Sequence, residues 1–313
     1  MVKPRRPAQA ATCGRLAEAL FPCLEEVTPR PLNPASALVH NPGMSTRRSF
    51  LATMAAPLMA RRPSVLFIAA DDMSTALGCY GHAVVKSPNV DRLAAGGVRF
   101  DRAYCQFPRC GPTRASLLTG LRPDTTKVLG NNVDFRQHLP DAITLPQLFK
   151  NNGWYSARVG KMFHMNVPGE VTSSKYQDPP SWHYSASPGG GELKTLGEVP
   201  RLTPPGVSMG MQWLAAASEK GQSDTSAADR ALALLEAHRK EPFFLGVGFL
   251  RPHLPFVAPS RFFDLYPPGS LPLPKNPPDD LDDIPEAAKA VRPYLWNHMR
   301  MNERQIREAR RGY

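Results

Sequence analysis

Three observations predict an α/β fold with a mainly parallel sheet. Two continuous apolar runs, Ser64 to Ala70 and Phe243 to Phe249, have the composition of strands covered on both faces. Between them lie segments with apolar residues at helical spacing, most clearly Thr225 to Arg239. Glycines and capping residues mark the borders, so strands and helices alternate as they do in strand–helix–strand units.

Residues 46–60 read Thr-Arg-Arg-Ser-Phe-Leu-Ala-Thr-Met-Ala-Ala-Pro-Leu-Met-Ala. Arg47 and Arg48 precede Phe50-Leu51 and an apolar run shorter than the roughly 20 residues that span a bilayer. Leu58-Met59-Ala60 offers a small-residue cleavage site. This twin-arginine pattern predicts a signal peptide over residues 44–60, export to the periplasm or beyond, and no transmembrane segment after processing. Met44 is a natural start, and residues 1–43 lack periodicity and read as a mis-called or disordered extension. The fold is therefore expected within residues 61–313.

Within that span, Ser64 to Ala70 is the first buried strand, and Asp71-Asp72 follow at its carboxyl end. Pro88 to Ala95 reads as a helix, with Ser87 as N-cap and Pro88 in the first position. Val98 to Tyr104 is a short strand by composition. Pro112 to Thr119 is a helix stopped by Gly120, and Thr144 to Asn152 is another stopped by Gly153. Tyr155 to Val159 is a strand, and Arg251-Pro252-His253 leaves the strand Phe243 to Phe249. Residues 165–223 and 267–285 are rich in Gly, Pro or Ser and read as excursions from the sheet. Ligands gather at the carboxyl ends of parallel strands, where Asp71 with Asp72, Lys161 with His164, and His253 should converge.

The bulk properties agree. An apolar fraction of 42% over 313 residues supports a sizeable core in one large domain or two small ones. The 34 prolines, concentrated after residue 165, favour long ordered loops over a helical bundle. The formal charge is +11, with a basic run from Arg300 to Arg311. A positive surface suits a polyanionic substrate, and a plain basic helix face is the equal alternative. No nucleic-acid-binding motif accompanies the charge, so nucleic acid is not an expected partner. The five cysteines make no disulfide framework, and Cys79 and Cys105 read as core residues.

Cys110 stands apart. Cys110-Gly111-Pro112-Thr113-Arg114 opens a helix, where free N–H groups and the helix dipole favour negative charge. Arg114, four residues on, returns to the same face. Physical reasoning alone leaves two readings, an activated cysteine or a buried structural one.

The residues also carry a resemblance. Cys110-x-Pro-x-Arg114, followed by Leu117-Leu118-Thr119-Gly120, is similar to the signature of type I sulfatases. Val65 to Asp72 resembles that family's first strand with its metal-binding aspartates. Gly78-Cys79-Tyr80-Gly81 and Ser87 to Ala94 resemble the segments that follow. Gly160-Lys161-Met162-Phe163-His164 resembles the family's Lys-x-x-His sulfate clamp, and Phe243 to Phe256 is most like iduronate 2-sulfatase-like members. The likeness runs from about Pro63 to Tyr266, with Arg109 a departure where the family has a small or apolar residue.

The resemblance implies an alkaline-phosphatase-like sulfatase fold and hydrolysis of sulfate monoesters, with a sulfated carbohydrate as substrate. It also implies that Cys110 is oxidised to formylglycine by a formylglycine-generating enzyme or sulfatase maturase. One hydroxyl of the aldehyde hydrate attacks sulfur, and the second expels sulfate and regenerates the aldehyde, which is covalent catalysis with a self-resetting nucleophile. By position, Asp71, Asp72 and the Cys110 side chain would hold a metal, Ca²⁺ in preference to Mg²⁺. Arg114 would hold the nucleophile region and Lys161 a sulfate oxygen; His164 would assist the second hydroxyl, and His253 would protonate or orient the leaving oxygen. The family's later Asp-His or Asp-Asn metal pair, its second lysine and its smaller subdomain have no counterpart before Tyr313. An incomplete catalytic domain with an exposed sheet edge is therefore expected. Three alternatives stay open: a phosphonate or phosphate ester hydrolase of the same superfamily, an inactive remnant that binds sulfated glycans, and a thiol enzyme using unmodified Cys110.

Overall fold

The computed structural model describes residues 62–167, 169–173, 175–191, 202, 213–216, 218, 220–273, 277–288 and 301–313. The expected extension and signal peptide, residues 1–60, lie outside the described residues. No helix among those described is long and apolar enough to cross a membrane.

The strands are β1 (Val65–Ala70), β2 (Tyr155–Gly160), β3 (Tyr184–Ala186), β4 (Trp213–Ala216), β5 (Phe243–Phe249) and β6 (Phe256–Pro259). The helices are α1 (Pro88–Ala95), α2 (Cys110–Thr119), α3 (Pro123–Thr126), α4 (Leu145–Asn151), α5 (Ser223–His238), α6 (Ser260–Asp264) and α7 (Glu303–Gly312). Four strands form one sheet in the order β1-β5-β2-β3, with every pairing parallel. β4 and β6 pair in a separate parallel ribbon. This is the mainly parallel sheet with flanking helices expected of an alkaline-phosphatase-like fold.

The period-2 geometry of the strands sends alternate side chains to opposite faces. Leu245 and Val247 of β5, with Ala157 and Val159 of β2, pack on Ala227, Ala228 and Ala231 of α5. The three alanines let that helix lie close to the sheet. Phe244 faces the other way, into a cluster with Leu118 of α2, Met162, Phe163 and Trp182, against which Phe149 of α4 packs. Helices on both faces make β5 and β2 fully interior, which is why Phe243 to Phe249 reads as an unbroken apolar run.

Local chemistry sets the borders. Thr144 and Gln147 form a capping box at the start of α4, each side chain serving the other's backbone N–H. Gly120 ends α2 in the left-handed region, at φ 72°, with its N–H on the Ser116 carbonyl. Ser87 precedes α1 as expected, but its hydroxyl does not cap that helix. It accepts from the Gly78 N–H and donates to Asp91.

Three expectations need correction, and the basic run at the end of the chain gains a structural role. Val98 to Tyr104 forms no strand; Val98, Phe100 and Tyr104 are strongly exposed, and no neighbouring strand takes up their backbone groups. Cys105 is exposed rather than in the core, because it shares that segment. The excursion 165–223 contains the short strands β3 and β4. The basic run after residue 300 is largely engaged within the fold: Arg307, Arg310 and Arg311 donate to the carbonyls of Leu271, Pro272 and Tyr266. Those guanidiniums pin the loop after α6 to α7 while staying half-buried, and Arg304 is exposed. Ile68 lies 43% exposed on β1, an end strand of the sheet among the described residues.

Candidate active site

The carboxyl ends of β1, β5 and β2 lie side by side, since the strands are parallel and adjacent. Two backbone bonds extend the ladder one residue further: Asp71 N–H donates to the Phe249 carbonyl (3.1 Å) and Lys161 N–H to the Gly248 carbonyl (2.9 Å). Asp71 and Lys161 therefore leave the sheet on either side of β5. The register requires glycine at both positions of the Gly160–Gly248 pair. A Cβ on Gly248 would run into the Lys161 backbone, and one on Gly160 would strike the Gly248 carbonyl. Gly160 also sits at φ 77°, where other residues are strained.

Asp71 is the hub. It is 3% exposed, yet Arg114 Nη2 lies 2.8 Å from its Oδ1 and Lys161 Nζ 2.5 Å from its Oδ2. Burial pushes its carboxyl up, but the Arg114 and Lys161 charges outweigh burial and hold it below the usual carboxylate range. Arg114 also donates to the carbonyls of Lys161 (2.5 Å) and Met162 (2.9 Å), tying α2 to the turn after β2. Arg114 thus grips Asp71 and the Lys161 backbone rather than Cys110 itself. Lys161, expected to clamp a sulfate, is fully buried against Asp71.

Cys110 is the first residue of α2, two residues before the Pro112 start read from the sequence. The Gly111 N–H behind it donates to Asn131 Oδ1, and a Cβ at Gly111 would meet the Gly130 carbonyl, so that glycine allows the close approach. Cys110 Sγ lies 3.9 Å from Asp71 Oδ1 and 3.8 Å from Asp72 Oδ1. Of the two readings left open for Cys110, the activated thiolate is not favoured. Burial and the Asp71 carboxylate push the thiol pKa up, despite the opposing Lys161 and Arg114 charges.

Asp72 and His253 form the outer side. Asp72 adopts φ 61°, one of three positive-φ non-glycine residues among those described. His253 Nε2 lies 3.7 Å from Asp72 Oδ2. His253 Nδ1 sits 2.5 Å from the Leu254 carbonyl, which places the proton on Nδ1 and leaves Nε2 facing the cluster when the ring is neutral. The start of the His253 loop is set by Asp224 in the first turn of α5, whose carboxylate accepts the N–H groups of Leu250 (2.7 Å) and Arg251 (3.0 Å).

His164 is not hydrogen-bonded to Cys110. Its Nε2 lies 3.1 Å from Asn166 Oδ1, and Gln177 holds its backbone carbonyl. Burial drives its pKa down to about 4; Asn166 opposes that, and the Lys161 and Arg114 charges reinforce it. Its Nδ1 is buried and without a partner among the described residues.

Asp71, Cys110 and His253 each offer a ligand atom, all within 4.8 Å of one another. Of these, Asp71 alone is a hard oxygen donor; with the Asp72 carboxylate beside it the site offers two carboxylates to a hard divalent cation, and the Cys110 position would join them only once its sulfur is replaced by oxygen. Sequence reasoning missed Asp224, Asn131, Gln177 and Tyr313, whose hydroxyl meets the Asp72 backbone. None belongs to a recognisable local pattern, and each acts across a long separation in sequence or through a backbone atom.

Comparison with known proteins places this geometry among relatives. A model of the family described as Sulfatase matches residues 63–307. A protein described as a sulfatase, from Formosa agariphila, is 36% identical over 249 residues, covering 72% of this chain and 46% of its own length. Human iduronate 2-sulfatase is 33% identical over 247 residues, covering 77% of this chain and 43% of its own. The chain spans about half the length of the curated relatives it matches. Among solved structures, a phosphonate monoester hydrolase from Silicibacter pomeroyi superposes with a TM-score of 0.55 at 21% identity, covering 80% of this chain and 55% of that one, a likeness of fold.

Proposed function

The chain belongs to the sulfatase family, and from that premise we propose that it hydrolyses sulfate monoesters of carbohydrates, in the manner of iduronate 2-sulfatase-like members, at a nucleophile made from Cys110. The observation that carries this reading is the placement of Cys110. Its sulfur stands between two carboxylates, in surroundings that keep a thiol protonated. Such a site is poor for a thiolate nucleophile and suits an oxygen nucleophile flanked by metal-binding carboxylates, which argues against the thiol-enzyme alternative. Formylglycine, installed at Cys110 by a formylglycine-generating enzyme or sulfatase maturase, would supply two hydroxyls on one carbon in its hydrated form.

The remaining roles follow from charge and geometry. Arg114 and Lys161 set two cations against the single charge of Asp71, so the buried floor of the site is net positive. That field favours the oxygens of a sulfate ester as charge develops on them. Lys161 keeps Asp71 ionised, and reaching a sulfate oxygen would require it to leave that carboxylate. His253, with Nε2 toward the cluster, would give a proton to the departing alcohol oxygen only as the imidazolium, with Nε2–H as well as Nδ1–H protonated, and would be left as the neutral ring. His164, neutral above about pH 4, presents a bare Nδ1 that can accept a hydrogen bond from a hydroxyl. Asp71, Asp72 and the Cys110 position would hold Ca²⁺, or less readily Mg²⁺, which would supply positive charge beside the nucleophilic oxygen. The twin-arginine pattern at Arg47-Arg48 supports a periplasmic or secreted site of action.

The test combines mass analysis of the peptide containing Cys110 with paired assays on sulfate and phosphonate esters, using protein co-produced with a maturase. Formylglycine at Cys110 together with faster sulfate-ester turnover is the expected result. Preferential phosphonate turnover would move the protein to the neighbouring hydrolase class. An unmodified thiol in a protein that still turns over would overturn the nucleophile assignment.

A further inference from the structure

Asp72 presents a problem that its immediate neighbours do not solve. Its φ of 61° lies in the left-handed region, which few residues with a Cβ adopt, aspartate more readily than most. Its side chain is half exposed and meets only Cys110 and His253 among the described residues, at 3.8 and 3.7 Å. Neither contact is short enough to fix a backbone. Something else must hold this residue in place.

The Tyr313 hydroxyl meets that need. It donates to the Asp72 carbonyl at 2.8 Å and accepts the Ser74 N–H at 2.5 Å. One hydroxyl thus closes the turn that follows β1 from both sides, across 241 residues of sequence. The ring is itself held, edge-on to Phe256 with centroids 6.0 Å apart. Phe256 begins β6, three residues after His253, so Tyr313 touches both the Asp72 turn and the chain that leaves His253. The adjoining Gly312 brings α7 close to the ribbon, since a Cβ there would meet Phe256 and Trp213 side chains. Arg311 fastens the same turn of helix to the Tyr266 carbonyl.

We infer that Tyr313 is a positioning residue: its hydroxyl, bridging the Asp72 carbonyl and the Ser74 amide, holds Asp72 in the left-handed conformation that aims its carboxylate at Cys110 and His253. This rests on the reading of Asp72 as a metal-binding carboxylate. The hydroxyl touches no reacting atom, so its effect passes through Asp72 alone.

The experiment measures Ca²⁺ binding by titration calorimetry, alongside thermal unfolding, for the full chain and for Tyr313→Phe and Arg310→Ala. Tyr313→Phe keeps the ring against Phe256 and removes the two hydrogen bonds. Arg310→Ala loosens α7 at the Pro272 carbonyl without touching the hydroxyl, so it reports a merely structural role. The expected result is a Ca²⁺ affinity about tenfold weaker in Tyr313→Phe, the scale of one or two lost hydrogen bonds, with Arg310→Ala unchanged. Equal affinity in Tyr313→Phe and the parent would overturn the inference and leave the sulfatase reading intact. Equal weakening in both variants would also overturn it, because helix anchoring would then account for the effect. A parent chain that binds no Ca²⁺ would overturn the metal assignment of Asp72, and the inference with it.

Discussion

On the inner side of the cluster, Asp71, Arg114 and Lys161 are buried and paired at 2.8 and 2.5 Å, whereas on the outer side Asp72 and His253 sit on loops and face each other at 3.7 Å. The inner groups leave the ends of packed strands or lie along a helix held by the core. The outer groups are fixed through their backbones, Asp72 by Tyr313 and the start of the His253 loop by Asp224. The difference separates two tasks. The inner side carries fixed charge that the fold depends on. On the proposed reading the outer side would carry the adjustable groups of the site, whose loss should affect chemistry more than stability.

The strongest way to break that comparison is to disturb the inner side. Arg114→Met would leave two carbonyls and one carboxylate oxygen of Asp71 without their donor in a buried site. Removing one partner from a buried ionic network costs about 3–5 kcal/mol, so urea unfolding should show a loss of about 3 kcal/mol or more. A loss under about 1 kcal/mol would mean that Lys161 alone satisfies Asp71, and that the inner side is less tightly coupled than its distances suggest.

Acid should attack the same side. The pKa of His164 is lowered from 6.5 to about 4, so between those values the unfolded chain binds more protons than the folded one. Stability from this residue is complete above about pH 6.5 and is lost as pH falls toward 4, by up to about 3 kcal/mol. Asp71, also lowered, adds a loss in the same direction below its ordinary value of 3.8. Unfolding midpoints measured from pH 7 to pH 4 should fall steadily, and His164→Gln should flatten that slope. An unchanged slope would place the acid sensitivity elsewhere.

How much was legible in the sequence follows the same division. β5 and β1 could be read from their apolar runs, because burial on two faces leaves a compositional mark. Asp71 and Lys161 could be placed from the rule that parallel strands deliver ligands at their carboxyl ends, whereas the helix position alone left Cys110 between two readings and the resemblance to the sulfatase signature brought it and Arg114 to the site. Val98 to Tyr104 misled because apolar composition does not guarantee a partner strand. The raised thiol pKa of Cys110 was out of reach, since it depends on burial in the finished fold and on a carboxylate 39 residues away. Asp224, Tyr313 and the Gly160–Gly248 contact carry no local signature. They act through backbone atoms brought together only by the finished fold.

The finest discrimination comes from Asp72→Asn. Asparagine tolerates the left-handed region about as well as aspartate, so the turn and its bonds to Tyr313 should survive. The side chain is 49% exposed and in no short ion pair among the described residues, so stability should change by about 0.5 kcal/mol or less. Ca²⁺ affinity, however, should fall well over tenfold, because a hard cation loses a charged ligand from a site with few of them. Calorimetry and thermal unfolding on the same sample separate the two quantities. A stable protein with weakened Ca²⁺ binding would sharpen the contrast between inner and outer sides. A protein destabilised as much as Arg114→Met would erase it, since Asp72 would then belong to the same structural network as Asp71.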